Sequence, residues 1–176
     1  MIGMANAMDA QHYRAVVIGR QNKAAGEEWE RILEASCRHY RLTGEAEIEK
    51  TPEPIKQLGP KNRQGQFTAC YTKKAQPDYK GTLKDGRSVV FEAKHTASDR
   101  LQQSAVTPDQ EKRLNSHMAL GAECFVMVSF GFRKFFKVPW AVFRDMKQHY
   151  GRKYITTEDV TEYEIMYSGG ILRFLG

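Results

Sequence analysis

The chain has 176 residues, 41% of them hydrophobic and 27% charged, which is the size and balance of one compact soluble domain. No run approaches the roughly 18 apolar residues of a membrane span, and Cys37, Cys70 and Cys124 lack the spacing of a zinc site or a disulfide frame. The net charge of +6, with an isoelectric point near 9.2, favours a polyanionic partner.

Residues 1–11 carry neither the basic nor the apolar region of a secretory signal, so a cytoplasmic location is expected. Residues 1–13 are expected to form a flexible tail, and 14–176 a single domain. Trp29, Ile32, Leu33, Ser36 and Tyr40 recur at helical spacing and predict an amphipathic helix over 22–40, with Gly44 at its exit. The stretch 45–75 holds Pro52, Pro54, Gly59, Pro60 and Gly65 in a basic context. It reads as a loop or projecting arm, at about 51–75, with a short strand piece near 66–71. Between Thr51 and Lys80, the cations Lys56, Lys61, Arg63, Lys73, Lys74 and Lys80 face only Glu53 and Asp78. Such a stripe is either a polyanion-binding surface or a solvated face.

A β-hairpin follows: Tyr79 to Leu83, a turn at Lys84-Asp85-Gly86, then Ser88 to Lys94. Thr107-Pro108-Asp109-Gln110 opens a second helix with an N-cap, a proline at the first position and a glutamine at the third, and Gly121 closes it. The apolar run 123–130 predicts a buried strand. Pro139 begins a helix with Trp140, Phe143 and Met146 on one stripe, ending near Gly151. Short strands are expected at 163–167 and 171–174. The order predicts an α/β fold with a mixed sheet.

The hairpin carries the chemistry. Glu92 and Lys94 are two apart on a strand, so a carboxylate and an ammonium leave the same face. A three-residue turn with Gly86 in the left-handed region pairs Leu83 with Arg87 and brings Asp78 opposite Glu92, whereas a two-residue turn shifts the register by one and turns Asp78 away. Two adjacent carboxylates resist joint ionisation unless a cation sits between them, and a hard divalent ion does this while activating water and polarising a phosphoryl oxygen. An acid-x-Lys triplet by itself decides nothing, because it also occurs at Asp78-Tyr79-Lys80 and Asp145-Met146-Lys147. Only Glu92-Ala93-Lys94 ends an apolar β-run with Pro77-Asp78 at hairpin distance. On the first helix, Glu28 lies about 85° from the centre of the apolar stripe, and either borders a cleft or is an exposed charge. Gln110 either completes a capping box with Thr107 or aims its amide at the site.

Asn22 to Glu28, the proline-rich basic arm, Pro77-Asp78-Tyr79-Lys80-Gly81, Phe91-Glu92-Ala93-Lys94-His95-Thr96, and Asp109-Gln110 before Cys124-Phe125-Val126-Met127-Val128 together resemble the RecU-type Holliday junction resolvases of the PD-(D/E)xK nuclease superfamily. The resemblance spans about residues 20–150. It implies a restriction-endonuclease-like mixed sheet flanked by helices, with the arm as a stalk. It also implies a homodimeric, Mg²⁺- or Mn²⁺-dependent endonuclease of DNA recombination and repair that cuts four-way junctions. Asp78, Glu92, Ala93 and Glu28 take the metal-binding positions, with Lys94 as the catalytic lysine and Gln110 as the glutamine of the second helix. The sequence departs from the pattern around Glu28: Glu27 stands where the family often has an aromatic residue, and Ala24 stands where a glycine is expected.

Under this reading Lys56, Lys61, Arg63, Lys73, Lys74 and Lys80 contact DNA phosphates and position the duplex without reading sequence. Phe67 and Tyr71 either stack on bases at a junction centre or pack the arm, and His95 is a DNA contact or a solvated neighbour of Lys94. Two alternatives remain: another PD-(D/E)xK nuclease of restriction or flap-cutting type, which would cut linear or flapped DNA, and a non-catalytic DNA-binding module.

Overall fold

The computed structural model describes residues 2–52, 54–71 and 76–175. Its first helix, α1 (Ile2–Thr43), is followed by β1 (Ala46–Lys50), β2 (Ile55–Leu58), β3 (Thr68–Tyr71), β4 (Tyr79–Leu83), β5 (Ser88–Thr96) and β6 (Arg100–Gln102). Then come α2 (Pro108–Ala119), β7 (Glu123–Phe130), β8 (Lys134–Pro139), α3 (Trp140–Arg144), α4 (Met146–Tyr150), β9 (Tyr154–Thr156), β10 (Met166–Ser168) and β11 (Ile171–Arg173). The central sheet has five strands in the order β1-β4-β5-β7-β8, with β5 and β7 parallel and the other pairs antiparallel.

Each face of this sheet buries its own core. Trp29, Leu33, Cys37 and Tyr40 of α1 pack on Ile48, Tyr79, Phe91 and Phe125, and on Leu172 and Phe174 from the C-terminal segment. On the other face, Leu114 of α2 and Trp140, Phe143 and Met146 of the α3–α4 region pack on Val90, Val126, Val128, Phe136 and Val138. Successive residues of β7 therefore go to opposite layers, and a strand buried on both sides reads as a continuous apolar run. Buried Tyr40 ties α1 to the C-terminal strand: its hydroxyl donates to Leu172 O at 3.0 Å and accepts from Phe174 N at 2.7 Å.

Several elements differ from the sequence expectation. Helix α1 begins at Ile2, so most of the segment expected as a tail is helical. Its alanine-rich, proline-free start favours helix without presenting an apolar stripe, and periodicity is blind to such a stretch. Within the stretch 45–75, just ahead of the predicted arm, β1 belongs to the main sheet. It alternates buried Ala46 and Ile48 with exposed Glu47 and Glu49, too few apolar positions to stand out. β8 was hidden between the Gly131 turn and Pro139. The helix predicted after Pro139 is two short pieces meeting at Asp145. In place of a strand over 163–167 there is a 3₁₀ turn at Thr161–Tyr163 and then β10.

The arm itself is a two-stranded ribbon. β2 pairs antiparallel with β3, from Ile55 opposite Tyr71 to Leu58 opposite Thr68. Asn62 N–H donates to Gln66 O at 2.8 Å across the tip, and every residue of β2 is exposed.

Candidate active site

The central hairpin has the register on which a shared site depends. Leu83 N–H donates to Arg87 O at 2.8 Å, Gly86 N–H donates to Leu83 O at 2.8 Å, and Gly86 has φ 86°. Pairing runs from Thr82 opposite Ser88 to Tyr79 opposite Phe91, and one step further sets Asp78 against Glu92. The approach of β1 to β4 also needs Gly81, since a Cβ there would stand 2.2 Å from Glu47 O.

Asp78, Glu92, Lys94 and Gln110 come together at this point. Ala93 N–H donates to Asp78 Oδ2 at 2.9 Å, which fixes the first carboxylate against the second strand. Glu92 has no exposed side-chain surface. Its Oε2 lies 3.2 Å from Lys94 Nζ and accepts a hydrogen bond from Gln110 Nε2, while its Oε1 has no hydrogen-bond donor. Burial foremost, and then the Asp78 carboxylate, push Glu92 up to about 8, against the lowering effect of Lys94. Two carboxylates set side by side repel when both are ionised, and a cation between them relieves that repulsion.

Gln110 serves both purposes that its position suggested. Its N–H donates to Thr107 Oγ1 at 3.3 Å, and its Oε1 accepts from Thr107 N at 3.0 Å, completing the capping box of α2. The amide nitrogen of the same side chain is then free to hold Glu92, and Lys94 Nζ lies 3.5 Å from its Oε1. The helix cap thus orients the site residue.

Glu28 is not brought to this cluster. It is paired with Arg31 and half exposed, and Glu27 pairs with Lys23 at 3.8 Å. The acid of α1 beside the site is Glu30, which with Asn22, Gly26, Trp29, Asp78, Ala93, His95, Thr96 and Ala97 lines a cavity of about 430 Å³. Lys50 pairs with it at 2.6 Å. Glu28 and Glu30 flank the apolar stripe of α1 on opposite sides, and periodicity alone does not say which flank meets the ends of β4 and β5. The local pattern does: moving the match by two residues places aromatic Trp29 directly before Glu30, with Gly26 four residues ahead of it.

The remaining predicted positions are dispersed. Lys56, Lys61 and Arg63 are exposed on the ribbon, with Lys61 Nζ 5.8 Å from the Phe67 ring centroid. Lys80 is half-buried and donates to Gln76 Oε1 at 2.8 Å. Lys73 and Lys74 lie outside the described residues, as does the side chain of Tyr71. His95 is half-buried, which lowers its imidazole below the ordinary value.

The donor set fits a small hard cation. Among the described residues no three His, Cys, Asp or Glu side chains converge on one point. Ions of the Mg²⁺ type, however, use one or two carboxylates and take their other ligands from water and phosphate. Asp78 and the unpartnered Glu92 Oε1 supply two such oxygens, and Ala93, which follows Glu92 and donates its N–H to Asp78, has a main-chain carbonyl to offer.

A mixed sheet clad by helices on both faces, with its acidic hairpin at the centre, is the architecture that the resemblance to the PD-(D/E)xK nucleases implied. The family model RecU, Recombination protein U, matches residues 24–175, and the chain belongs to this family of Holliday junction resolvases. It is accordingly a nuclease of DNA recombination that acts on four-way junctions. Among solved structures, the chain is similar to Hjc, a Holliday junction resolvase from Archaeoglobus fulgidus. The identity is 13% over 78% of this chain and 93% of that chain, with a TM-score of 0.48. No curated protein matches the sequence. No helix among the described residues is long and apolar enough to cross a membrane.

Proposed function

We propose that this resolvase hydrolyses phosphodiesters with Mg²⁺, or Mn²⁺ in its place, bound by Asp78, Glu92 and the Ala93 carbonyl, and that it works as a homodimer. The observation that carries the reading is a fully buried glutamate with one oxygen lacking any donor, beside a second carboxylate and a lysine. When bound, the ion supplies Lewis-acid polarisation of the scissile phosphate and a water of lowered pKa. Lys94 stands where it neutralises charge developing on the phosphoryl group or orients the attacking water. Gln110 holds Glu92 in place, and Glu30 replaces Glu28 as the helix carboxylate facing the cavity. The ribbon, with Lys56, Lys61 and Arg63, enters the junction, and Lys73, Lys74 and Lys80 extend its phosphate contacts. Two active sites in a homodimer match the two symmetric cuts that resolution requires.

The test is a cleavage assay on synthetic four-way junctions. The protein with Mg²⁺ or Mn²⁺ nicks opposing strands symmetrically, chelation stops it, and Asp78→Asn abolishes cutting while junction binding survives. Cleavage by Asp78→Asn at the wild-type rate would refute the site.

A further inference from the structure

We infer that His95 is a second substrate-contacting residue, donating a hydrogen bond to a backbone oxygen of the bound DNA strand beside the scissile phosphate, and that Phe132 is the residue that positions it. This rests on the site proposed above, because His95 lines the same cavity as Asp78 and Ala93.

His95 alternates with Lys94 along β5 and so shares a face with Ala93, on the side of the sheet that α1 covers. Its ring is held at two points. Nδ1 lies 3.1 Å from Oγ of Ser129, a wholly buried serine on the neighbouring strand. The imidazole stacks on the Phe132 ring at a centroid distance of 4.2 Å and an interplanar angle of 24°. Nε2 has no partner among the described residues. In the tautomer in which Ser129 donates to Nδ1, the ring proton stands on Nε2, and the cavity-lining ring offers one free N–H.

Phe132 sits where its type is disfavoured. It follows Gly131 in the turn joining β7 to β8, closed by Arg133 N–H to Phe130 O at 3.0 Å, and both central residues have positive φ, 58° and 56°. Among the described residues Phe132 is the only non-glycine with positive φ. Glycine or asparagine would occupy that position without strain. A bulky residue there is explained by what its ring does: it packs on the edge of the α1-side core and stacks on His95. Gly131 N–H donates to Thr96 O at 2.8 Å, so the turn is fastened to the end of β5 beside the residue it supports.

Trp29, buried and stacked on Phe135, forms the floor of this cavity on the α1 side. A ring N–H facing a cavity next to Asp78 suits a guest rich in acceptor oxygens, and a DNA backbone placed for cleavage is such a guest.

Single-turnover cleavage of a four-way junction, with binding measured separately in Ca²⁺, tests the inference on the full chain. His95→Ala is expected to raise the junction concentration for half-maximal rate about five- to tenfold, with His95→Gln recovering part of that because its amide reaches the Nε2 position. Phe132→Ala should give a smaller shift in the same direction, and Phe132→Tyr should restore it. In the His95→Ala background, Phe132→Ala should add nothing, since a positioning residue acts through the group it positions. Half-saturation within twofold of wild type for His95→Ala, or an undiminished Phe132→Ala effect in the double variant, overturns the inference. The proposed site fails in a different way, by Asp78→Asn retaining cleavage, so the two failures are separable.

Discussion

Two antiparallel hairpins of similar build meet opposite fates in this molecule. The β4–β5 hairpin lies between two helical layers, with Tyr79, Val89, Val90, Phe91 and Glu92 all buried. The β2–β3 ribbon has no such cover, and its Ile55, Leu58 and Phe67 are exposed with its cations. Burial gives a charge strength and makes its position exacting; exposure leaves a charge hydrated, screened and effective only in numbers. The buried hairpin therefore suits chemistry at one phosphate, and the bare ribbon suits diffuse attachment to many.

The contrast breaks most sharply if the roles are exchanged by mutation. Glu92→Gln is expected to lower the cleavage rate by roughly 10³-fold or more, on the scale of losing a charge that stabilises the transition state. Binding to the junction should stay within about threefold. Neutralising Lys56, Lys61 and Arg63 together should leave the rate of the bound complex close to wild type. A ribbon triple variant whose saturated single-turnover rate falls as far as that of Glu92→Gln would erase the distinction.

A second effect follows from the burial of Glu92 in the absence of metal. Its folded-state pKa of about 8 exceeds the ordinary 4.5, so the folded protein holds this proton more tightly than the unfolded chain. Between these values the folded state binds more protons, and stability falls as pH rises through the window. The loss is complete above about pH 8 and is on the order of 3–5 kcal/mol. Thermal melts of the metal-free protein should show Glu92→Gln gaining on wild type from pH 5 to 8.5, with no gain below pH 4.5. Added Mg²⁺ should raise the wild-type melting temperature at pH 8 more than that of the variant. Parallel pH profiles for the two proteins would mean that Glu92 ionises without penalty.

The register that joins Asp78 to Glu92 depends on close approach of β1, which Gly81 permits. Gly81→Ala places a methyl group 2.2 Å from Glu47 O and 2.7 Å from Ile48 Cα, both backbone atoms that cannot swing aside. A destabilisation of about 2–3 kcal/mol, typical of overpacking, is expected in denaturant titration. Cleavage should fall with it if the strand shifts. A wild-type midpoint would show that β1 yields easily.

How much of this was legible in the sequence depends on whether a residue's partner is near in the chain. The hairpin turn, the Thr107 cap and the Asp78–Glu92 facing follow from local geometry, and the structure has each of them. Glu30 was not found because choosing between the flanks of an amphipathic helix requires knowing which side meets the strand ends, which is a property of topology. Ala46–Lys50 escaped because two buried side chains in a charged segment give no period-2 signal. The strain at Phe132 is likewise invisible before the backbone is seen, although Gly131 marks the turn.

The smallest effect concerns the ribbon, where single charges count for little. Lys56, Lys61 and Arg63 are all exposed, and exposed cations add affinity mainly by releasing counterions from DNA. Removing the three together should weaken junction binding about tenfold near 0.1 M salt and make the dependence of log affinity on log salt shallower by up to about 3. Any one alone should change affinity by about two- or threefold. Their placement on a narrow projection adds a geometric expectation, because a ribbon fits the open centre of a branched molecule better than the side of a duplex. The triple variant should therefore lose more affinity for four-way junctions than for linear duplex of equal length, measured by titration at matched salt. Equal losses on both substrates would make the ribbon a general electrostatic handle, and junction preference would then have to come from the spacing of paired active sites.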